Sequence, residues 1–190
     1  MPRSAMVVPI RSFTGMTRLG GRLDADERAA LTSTLAARVL RAGAEAGLEP
    51  WVVTSDRQVG TWAQDRSFTV VKDSGMGLDA AADAGVRAVG AGPWLVVHAD
   101  LPLVDASALS RAASILDTGA VIVPSIDGGT TVIGGTGPFA FSYGPGSFHR
   151  HLARRPDAVV WIDPALMIDI DTIAHLDALA TLGSMPSLSP

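Results

Sequence analysis

The sequence predicts a three-layer α/β/α fold, with helices on both faces of a mostly parallel central sheet. Short β-branched segments alternate with helical segments from residue 5 to residue 123, and this alternation is typical of parallel sheets. The chain has 190 residues, a length that suits one domain with one core. We therefore expect a single domain over residues 1–183 and a frayed, Pro- and Ser-rich tail over residues 184–190.

The first predicted strand and helix set the pattern for the first half of the chain. Residues 5–10 (AMVVPI) are apolar on both faces, as in a central parallel strand. Asp24 and Glu27 form a capping-box pattern, which begins a helix that runs to about Gly47. The same reasoning predicts strands at 51–54 and 68–71 and helices at 56–63 and 78–89.

The second half begins with the same alternation and then changes. We expect a strand at 94–98, a helix at 105–116 and a strand at 120–123. Glycines are frequent from residue 127 to residue 147, which predicts hairpin-like strands and turns over a sheet edge. The final elements are predicted as strands at 158–161 and 167–170, and a helix that Thr172 caps and that ends at Leu182.

Composition excludes several classes of function. Hydrophobic residues make up 47% of the chain and charged residues 18%, a balance that excludes a disordered chain or a coiled coil. The formal net charge of -4 provides no overall basic field for nucleic acid or an anionic membrane. No apolar stretch approaches the roughly 20 residues of a membrane span, and the chain has no cysteine for thiolate chemistry. We expect a cytoplasmic protein that binds neither nucleic acid nor membranes.

Carboxylates follow two of the predicted strands. Asp100 comes directly after the strand at 94–98, and ligands of parallel sheets collect at the carboxyl ends of strands. Asp169 and Asp171 are two residues apart, so a strand would place both on one side, where like charges favour a bound cation. Three carboxylates suit Mg²⁺. Each aspartate could instead cap a turn or the last helix, and the residues alone leave both interpretations open.

Two further segments have features of anion sites. Arg11, Arg18 and Arg22 lie in a glycine-containing loop after the first strand, where guanidinium groups and backbone N–H groups can hold phosphate. This loop matches neither the P-loop nor the dinucleotide fingerprint, and a solvated basic loop is the alternative. The segments 127–131 and 143–147 are either anion-binding turns or ordinary tight turns.

Taken in order, several segments resemble the 2-phospho-L-lactate / phosphoenolpyruvate guanylyltransferases of coenzyme F-420 biosynthesis. This family belongs to the nucleotidyltransferases with a Rossmann-like, GT-A-like fold. Asp-Leu-Pro after a strand is widespread among them, whereas Gly-Pro-Gly-Ser-x-x-Arg-His followed by Asp-x-Asp-Thr is more particular. The resemblance covers about residues 5–180 and rests on VPIR at 8–11, TRL at 17–19, ADLP at 99–102, YGPGSFHRH at 143–151 and DIDT at 169–172.

The resemblance implies a reaction and a role for each matching residue. GMP would pass from GTP to the phosphate of phosphoenolpyruvate or 2-phospho-L-lactate, with release of pyrophosphate. The acceptor phosphate is already largely ionised at pH 7, so no general base is required. The implied roles are Mg²⁺ binding by Asp100, Asp169 and Asp171, phospho-acid binding by Thr131, Gly144 and Ser147, nucleotide binding by Arg11, Arg18, Gly77 and Asp79, and catalysis by Arg11, Arg18 and Asp100.

Three positions depart from the family's pattern. Arg11 and Met16 stand where the family usually carries lysines, and Asp79 replaces the asparagine of a Gly-Leu-Asn segment. Met16 cannot hold a phosphate by charge, and Arg11 offers a different donor geometry from lysine. The alternatives are a non-catalytic homologue that binds a nucleotide or a phospho-acid, and a related nucleotidyltransferase such as a molybdenum-cofactor enzyme. The sequence leaves the oligomeric state open, with a homodimer among the options.

Overall fold

A computed structural model describes residues 4–181, whose strands form one seven-stranded sheet. The strands lie close to the segments that the sequence predicts, with one exception near residue 168. They are β1 (Ala5–Pro9), β2 (Glu49–Thr54), β3 (Thr69–Lys72), β4 (Pro93–Val97), β5 (Val121–Pro124), β6 (Thr130–Thr136) and β7 (Val159–Val160).

The five predicted helices form in the predicted order, and two further helices, α5 and α6, were not predicted. In α1 the Asp24 side chain accepts from the backbone N–H of Glu27 and the Glu27 side chain accepts from that of Asp24, so the capping box is confirmed. Within the described residues, no helix combines the length and the apolar character that crossing a membrane requires. The helices are α1 (Ala25–Glu45), α2 (Arg57–Gln64), α3 (Leu78–Val89), α4 (Ala106–Ser114), α5 (Ser147–Arg154), α6 (Pro164–Met167) and α7 (Ile173–Thr181), with 3₁₀ helices at Thr17–Leu19 and Ile115–Asp117.

The sheet is mostly parallel, as predicted. Its strand order is β3-β2-β1-β4-β6-β5-β7, and β6 alone among the described strands runs antiparallel to its neighbours. The glycine-rich segment therefore supplies an interior strand rather than a cover for the sheet edge, and that expectation was wrong. A Cβ at Gly134 would lie 2.7 Å from Leu95 Cδ2 and 3.0 Å from the Trp94 carbonyl oxygen, so β6 needs glycine where it packs against its neighbours.

Alternating side chains of β1 show how the two faces are covered. Met6 and Val8 pack with residues of α1, α2 and α4 on one face. Val7 packs with residues of α3 and α5 on the other face. Because the side chains of a strand alternate between faces, both faces of the sheet are buried and a three-layer α/β/α arrangement results.

The segment 167–170 corrects the prediction of a last strand. The Asp163 side chain accepts from the backbone N–H of Ala165, and Pro164 occupies the first turn, so α6 forms instead and residues 168–171 are irregular. Ile170 is buried in a small cluster beside Leu19 rather than in a strand pair, which explains its apolar character. The backbone N–H of Ile170 donates to the Asp100 carbonyl oxygen at 3.1 Å, so this segment lies against the end of β4.

The last helix begins where predicted. The backbone N–H of His175 donates to Thr172 Oγ1 at 3.4 Å, which confirms Thr172 as the cap of α7. The predicted end at Leu182 and the predicted frayed tail lie outside the described residues.

Candidate active site

Three side chains converge where β4 ends. His98 and Asp100 follow the strand directly, and Asp169 reaches them from the irregular segment after α6. One ligand atom from each residue lies within 4.8 Å of the others, and His98 Nδ1 lies 4.0 Å from Asp100 Oδ1. This His-Asp-Asp cluster forms at the carboxyl end of a central strand, the usual place for ligands in such sheets.

The electrostatics of the cluster are those of buried, mutually repelling acids. The pKa of Asp100 is raised to about 6, chiefly by burial and in smaller part by the negative charges of Asp171 and Asp127. The pKa of Asp169 is also raised to about 6. Burial is the largest cause and the negative charge of Asp100 is the next. Burial lowers the pKa of His98, so its imidazole is neutral at pH 7. Two such carboxylates are costly to ionise together, which a nearby cation would relieve.

The cluster passes a simple test of fit for a divalent cation. His98 Nε2, Asp100 Oδ1 and Asp169 Oδ1 are each screened from solvent and have no hydrogen-bond partner. Buried polar atoms are rarely left unpaired, because each costs roughly 1–3 kcal/mol. A divalent cation among them would satisfy these atoms together. The residues therefore fit such an ion.

Asp171, the third acid predicted at this site, has a different partner. Its carboxylate forms an ion pair with Arg18, and its backbone N–H donates to His175 Nδ1 at 3.3 Å. The argument that a strand aligns Asp169 with Asp171 does not apply, because this segment is not a strand. Asp171 lines the same cavity as Asp169, and its role as a metal ligand stays a prediction.

Two cavities meet at the cluster, and His98 lines both. The first-loop cavity has a volume of about 220 Å³ and lies under the loop after β1. The hairpin cavity has a volume of about 270 Å³ and lies beside the turn before α5. The first-loop cavity is bordered by Arg11, Ser12, Gly15, Met16, His98 and Asp100. The hairpin cavity is bordered by Arg18, His98, Asp127, Thr130, Gly144, Ser147, Asp169 and Asp171.

The predicted phospho-acid residues fall partly in the hairpin cavity. Gly144 and Ser147 line it. Ser147 begins α5, and the backbone N–H groups of Ser147 and Phe148 already donate to the carbonyl oxygens of Gly144 and Gly128. Thr131 is fully buried, and its hydroxyl donates to the Val123 carbonyl oxygen at 3.4 Å. The adjacent Thr130 lines the cavity instead. Neighbouring residues of a strand point to opposite faces, so only one of the two threonines can line the cavity.

Two side chains of α5 hold the turn that borders this cavity. Arg150 donates to the carbonyl oxygens of Ser142 at 2.9 Å, Tyr143 at 3.1 Å and Pro145 at 2.7 Å. His151 Nε2 accepts from the backbone N–H of Ser142 at 2.9 Å, so its Nδ1–H faces Thr130 Oγ1 at 3.0 Å. The sequence offered only the Gly-Pro-Gly-Ser-x-x-Arg-His pattern as a signal for this arrangement.

His151 must be neutral to hold the turn in this way. Burial, then the charge of Arg154, lowers the pKa of His151 to about 4. An unprotonated Nε2 is what the Ser142 N–H requires as its acceptor. At pH 7 the fold therefore keeps His151 as a structural hydrogen-bonding group.

Of the predicted nucleotide residues, Arg11 and Gly77 border the first-loop cavity or a further cavity of about 240 Å³, the α3 cavity, whereas Arg18 borders the hairpin cavity. Arg11 lines both the first-loop and the α3 cavity, and Gly77 lines the α3 cavity with φ of 101°, a conformation that favours glycine. Asp79 has a different position: its Oδ1 accepts from the backbone N–H of Tyr143 at 2.7 Å. It therefore links α3 to the turn before α5. Met16 lines the first-loop cavity.

Solved structures share this fold at low sequence identity. A nucleotidyl transferase from Methanothermobacter aligns with a TM-score of 0.64 and 18% identity, over 96% of this chain and 98% of that one. A CMP:2-keto-3-deoxy-manno-octonic acid synthetase aligns with a TM-score of 0.59 and 13% identity, over 95% and 98%. The chain therefore shares the fold of these solved structures.

The family follows from sequence comparison. A family model described as "Guanylyl transferase CofC like" matches residues 4–184, and the chain belongs to this family. It is 34% identical over 193 residues to a phosphoenolpyruvate guanylyltransferase of Rubrobacter xylanophilus, with 94% of each chain covered. It is 35% identical over 176 residues to a 2-phospho-L-lactate guanylyltransferase of Halomicrobium mukohataei, covering 90% of this chain and 82% of that one. The resemblance seen in the motifs is thereby confirmed.

Proposed function

We propose that the protein transfers GMP from GTP to the phosphate of phosphoenolpyruvate or 2-phospho-L-lactate and releases pyrophosphate. The observation that carries this proposal is the position of Asp100 and Asp169 where the first-loop cavity meets the hairpin cavity. Two phosphorylated substrates in these cavities would bring their phosphates together beside the two carboxylates. The names of the relatives from Rubrobacter and Halomicrobium supply the two candidate acceptors.

The proposed reaction needs no protein nucleophile. An oxygen of the acceptor phosphate forms a bond to the α-phosphorus of GTP, the bond from that phosphorus to the bridging oxygen breaks, and pyrophosphate leaves. The acceptor phosphate is largely ionised at pH 7, so no side chain has to remove a proton. Mg²⁺, held by Asp100 and Asp169 with Asp171 as the predicted third ligand, would neutralise charge on the reacting phosphates.

The remaining predicted residues position the two substrates. Arg11 and Arg18 supply guanidinium groups toward the triphosphate from the first loop. Gly77 allows close approach to the nucleotide at the α3 cavity. Gly144, in the turn before α5, and the hydroxyl of Ser147, the first residue of α5, would contact the phospho-acid. We assign the reaction to coenzyme F-420 biosynthesis in the cytoplasm on the family resemblance.

The direct test is pyrophosphate release by the purified protein with Mg²⁺. Each of four nucleoside triphosphates is combined with phosphoenolpyruvate or with 2-phospho-L-lactate. We expect release with GTP and at least one of the two acceptors, and the faster acceptor identifies the substrate. If Mg²⁺-dependent nucleotide binding occurs without release in any mixture, the protein is the non-catalytic homologue and the proposal fails.

A further inference from the structure

We propose that His98 is a nitrogen ligand of the divalent cation and shifts the site's preference from Mg²⁺ toward Mn²⁺ and Co²⁺. The inference rests on the cation site of the proposed function and deepens it. It assigns to His98 a role that the predicted ligand set of three aspartates does not include.

The fold fixes His98 against the two acids. Its backbone N–H donates to the Thr131 carbonyl oxygen at 3.0 Å, which continues the pairing of β4 with β6 by one residue. Its ring lies beside the Tyr143 ring, with 5.2 Å between the centroids. Only 19% of its side chain is exposed. The imidazole is therefore confined on the side of the cluster that faces Asp100 and Asp169.

The ring atoms of His98 are not used for structure. Its Nε2 is screened from solvent and has no hydrogen-bond partner, and its Nδ1 lies 4.0 Å from Asp100 Oδ1, beyond hydrogen-bond distance. His151 shows the contrast: both of its nitrogens have partners, the Ser142 N–H and the Thr130 hydroxyl. A histidine with a purely structural role would resemble His151. The unpartnered Nε2 of His98 indicates a ligand that comes with the substrates or the ion.

Acid–base catalysis is a weaker explanation for the unpartnered Nε2 of His98. The acceptor phosphate carries its negative charge at pH 7 without help, so the proposed reaction gives His98 no proton to remove. A cation, in contrast, would satisfy the imidazole and the two unpaired carboxylate oxygens with one ion. Imidazole is among the commonest metal ligands in proteins.

A nitrogen ligand changes which metal the site favours. Mg²⁺ binds oxygen ligands almost exclusively and keeps much of its water. Affinity for sites that contain nitrogen increases from Mn²⁺ to Co²⁺ and beyond. With His98 beside Asp100 and Asp169, we expect Mn²⁺ and Co²⁺ to bind more tightly than Mg²⁺ at equal concentration.

The test is electron spin echo spectroscopy of Mn²⁺ bound to the whole protein, with no nucleotide present. We expect nitrogen modulation from a directly bound imidazole, and a change to the ¹⁵N pattern when only the histidines are labelled with ¹⁵N. His98→Gln should abolish the modulation. His149→Gln is the matched control, because His149 is exposed on α5, and it should leave the modulation intact.

Titration of each metal supplies the second readout. His98→Gln should weaken Mn²⁺ and Co²⁺ binding by at least ~10-fold and change Mg²⁺ binding little, with a thermal unfolding transition close to that of the wild type. Bound Mn²⁺ without nitrogen modulation in the wild type, or modulation that persists in His98→Gln, overturns the role of His98 and leaves the cation site standing. If no divalent cation binds, the cation site of the proposed function fails together with the role of His98.

Discussion

Asp100 and Asp169 destabilise the folded chain at neutral pH when no cation lies beside them. Their pKa values of about 6 exceed the ordinary value of 3.8, so the folded state binds protons more tightly than the unfolded state. Stability therefore falls as pH rises from about 4 to about 6 and stays lower above that range. Buried charges that destabilise the fold in this way are typical of a ligand-binding site.

Replacing one of these acids should stabilise the protein in the absence of metal and reduce its stabilisation by Mg²⁺. In the presence of a chelator, we expect Asp169→Asn to have a higher free energy of unfolding than the wild type at pH 8, and this difference should shrink at pH 4. Mg²⁺ should raise the unfolding temperature of the wild type by mass action, and that of the variant much less. Urea unfolding at several pH values, with and without Mg²⁺, measures both effects.

Asp117→Asn is the control for this experiment, because Asp117 is exposed and precedes β5 at the opposite, amino-terminal edge of the sheet. It should behave as the wild type does in every condition. A variant at Asp169 that is less stable at pH 8 and keeps the full Mg²⁺ response would contradict the account of the cluster.

The Arg18–Asp171 ion pair gives a second prediction. Arg18 and a bound cation would compete for the Asp171 carboxylate, so Arg18→Gln should leave Mg²⁺ binding at least as tight as in the wild type. It should also raise the KM for GTP, because a guanidinium beside the triphosphate is lost. The pair is largely exposed and worth about 1 kcal/mol or less, so stability should change little. Mg²⁺ titration and steady-state kinetics measure these effects, and weaker Mg²⁺ binding in Arg18→Gln would refute the competition.

Some residues of the site can be predicted from local sequence patterns and others cannot. Asp100 could be predicted, because an acid after a buried strand is a local signal. Asp169 was predicted from its spacing to Asp171 on a strand that does not form. His98 could not be predicted, since a lone histidine at a strand end has no distinctive spacing. Thr130 and Thr131 differ only in which face of β6 they occupy, and the long-range pairing of β6 with β4 decides that face.

At the scale of elements, the turn before α5 depends on contacts from two helices. Arg150 and His151 of α5 hold its backbone from one side, and Asp79 of α3 accepts the Tyr143 N–H from the other. Asp79 thus positions the wall of the hairpin cavity, although the resemblance implies a nucleotide contact for it. Its replacement of the family's asparagine keeps an oxygen acceptor at the same atom.

This position can be tested with two substitutions at Asp79. Asp79→Asn retains a side-chain oxygen for the Tyr143 N–H, so we expect kcat and both KM values near those of the wild type. Asp79→Ala removes the acceptor and should raise the KM for the phospho-acid by about 10-fold, which corresponds to about 1.4 kcal/mol, in line with the loss of a hydrogen bond to a charged group. Steady-state kinetics in which each substrate is varied in turn would show which of the two KM values changes. A rise confined to the KM for GTP would support the nucleotide contact instead.

Helix α3 approaches the sheet closely at one glycine. A Cβ at Gly85 would lie 2.3 Å from Val7 Cγ1 and 2.9 Å from Val53 Cγ2. Gly85→Ala should therefore destabilise the protein by about 1–3 kcal/mol through overpacking. For comparison, a Cβ at Gly119 meets open space, and Gly119→Ala should cause no such loss. Urea unfolding of both variants measures the difference, and equal stability would contradict the close packing of α3.

Most elements could be predicted from local patterns alone. Strands up to β5 have apolar runs, and helices α1, α2 and α4 begin with side-chain caps at Asp24, Asp56 and Asp105. The strand predicted at 167–170 failed because burial of Ile170 against Leu19 produces the same apolar residues as strand pairing. The Asp163–Pro164 start of α6 was the stronger local signal there.

At the scale of the whole molecule, the topology brings distant segments to one edge of the sheet. The loop after β1, the end of β4, the segment after α6 and the turn before α5 all border the two cavities. The insertion of β6 between β4 and β5 depends on contacts across the chain, which local sequence patterns do not encode. This arrangement places two cavities beside one acidic cluster.

The central claim is that this cluster serves the transfer of GMP between ligands in the two cavities. Phosphorus-31 NMR of a mixture of protein, Mg²⁺, GTP and the preferred phospho-acid tests it most directly. We expect a new phosphate–phosphate linkage between GMP and the acid, with one pyrophosphate released per linkage. Asp117→Asn should form the product as the wild type does, and Asp169→Asn should form it at least ~100-fold more slowly. Equal rates for Asp169→Asn and the wild type would contradict the claim.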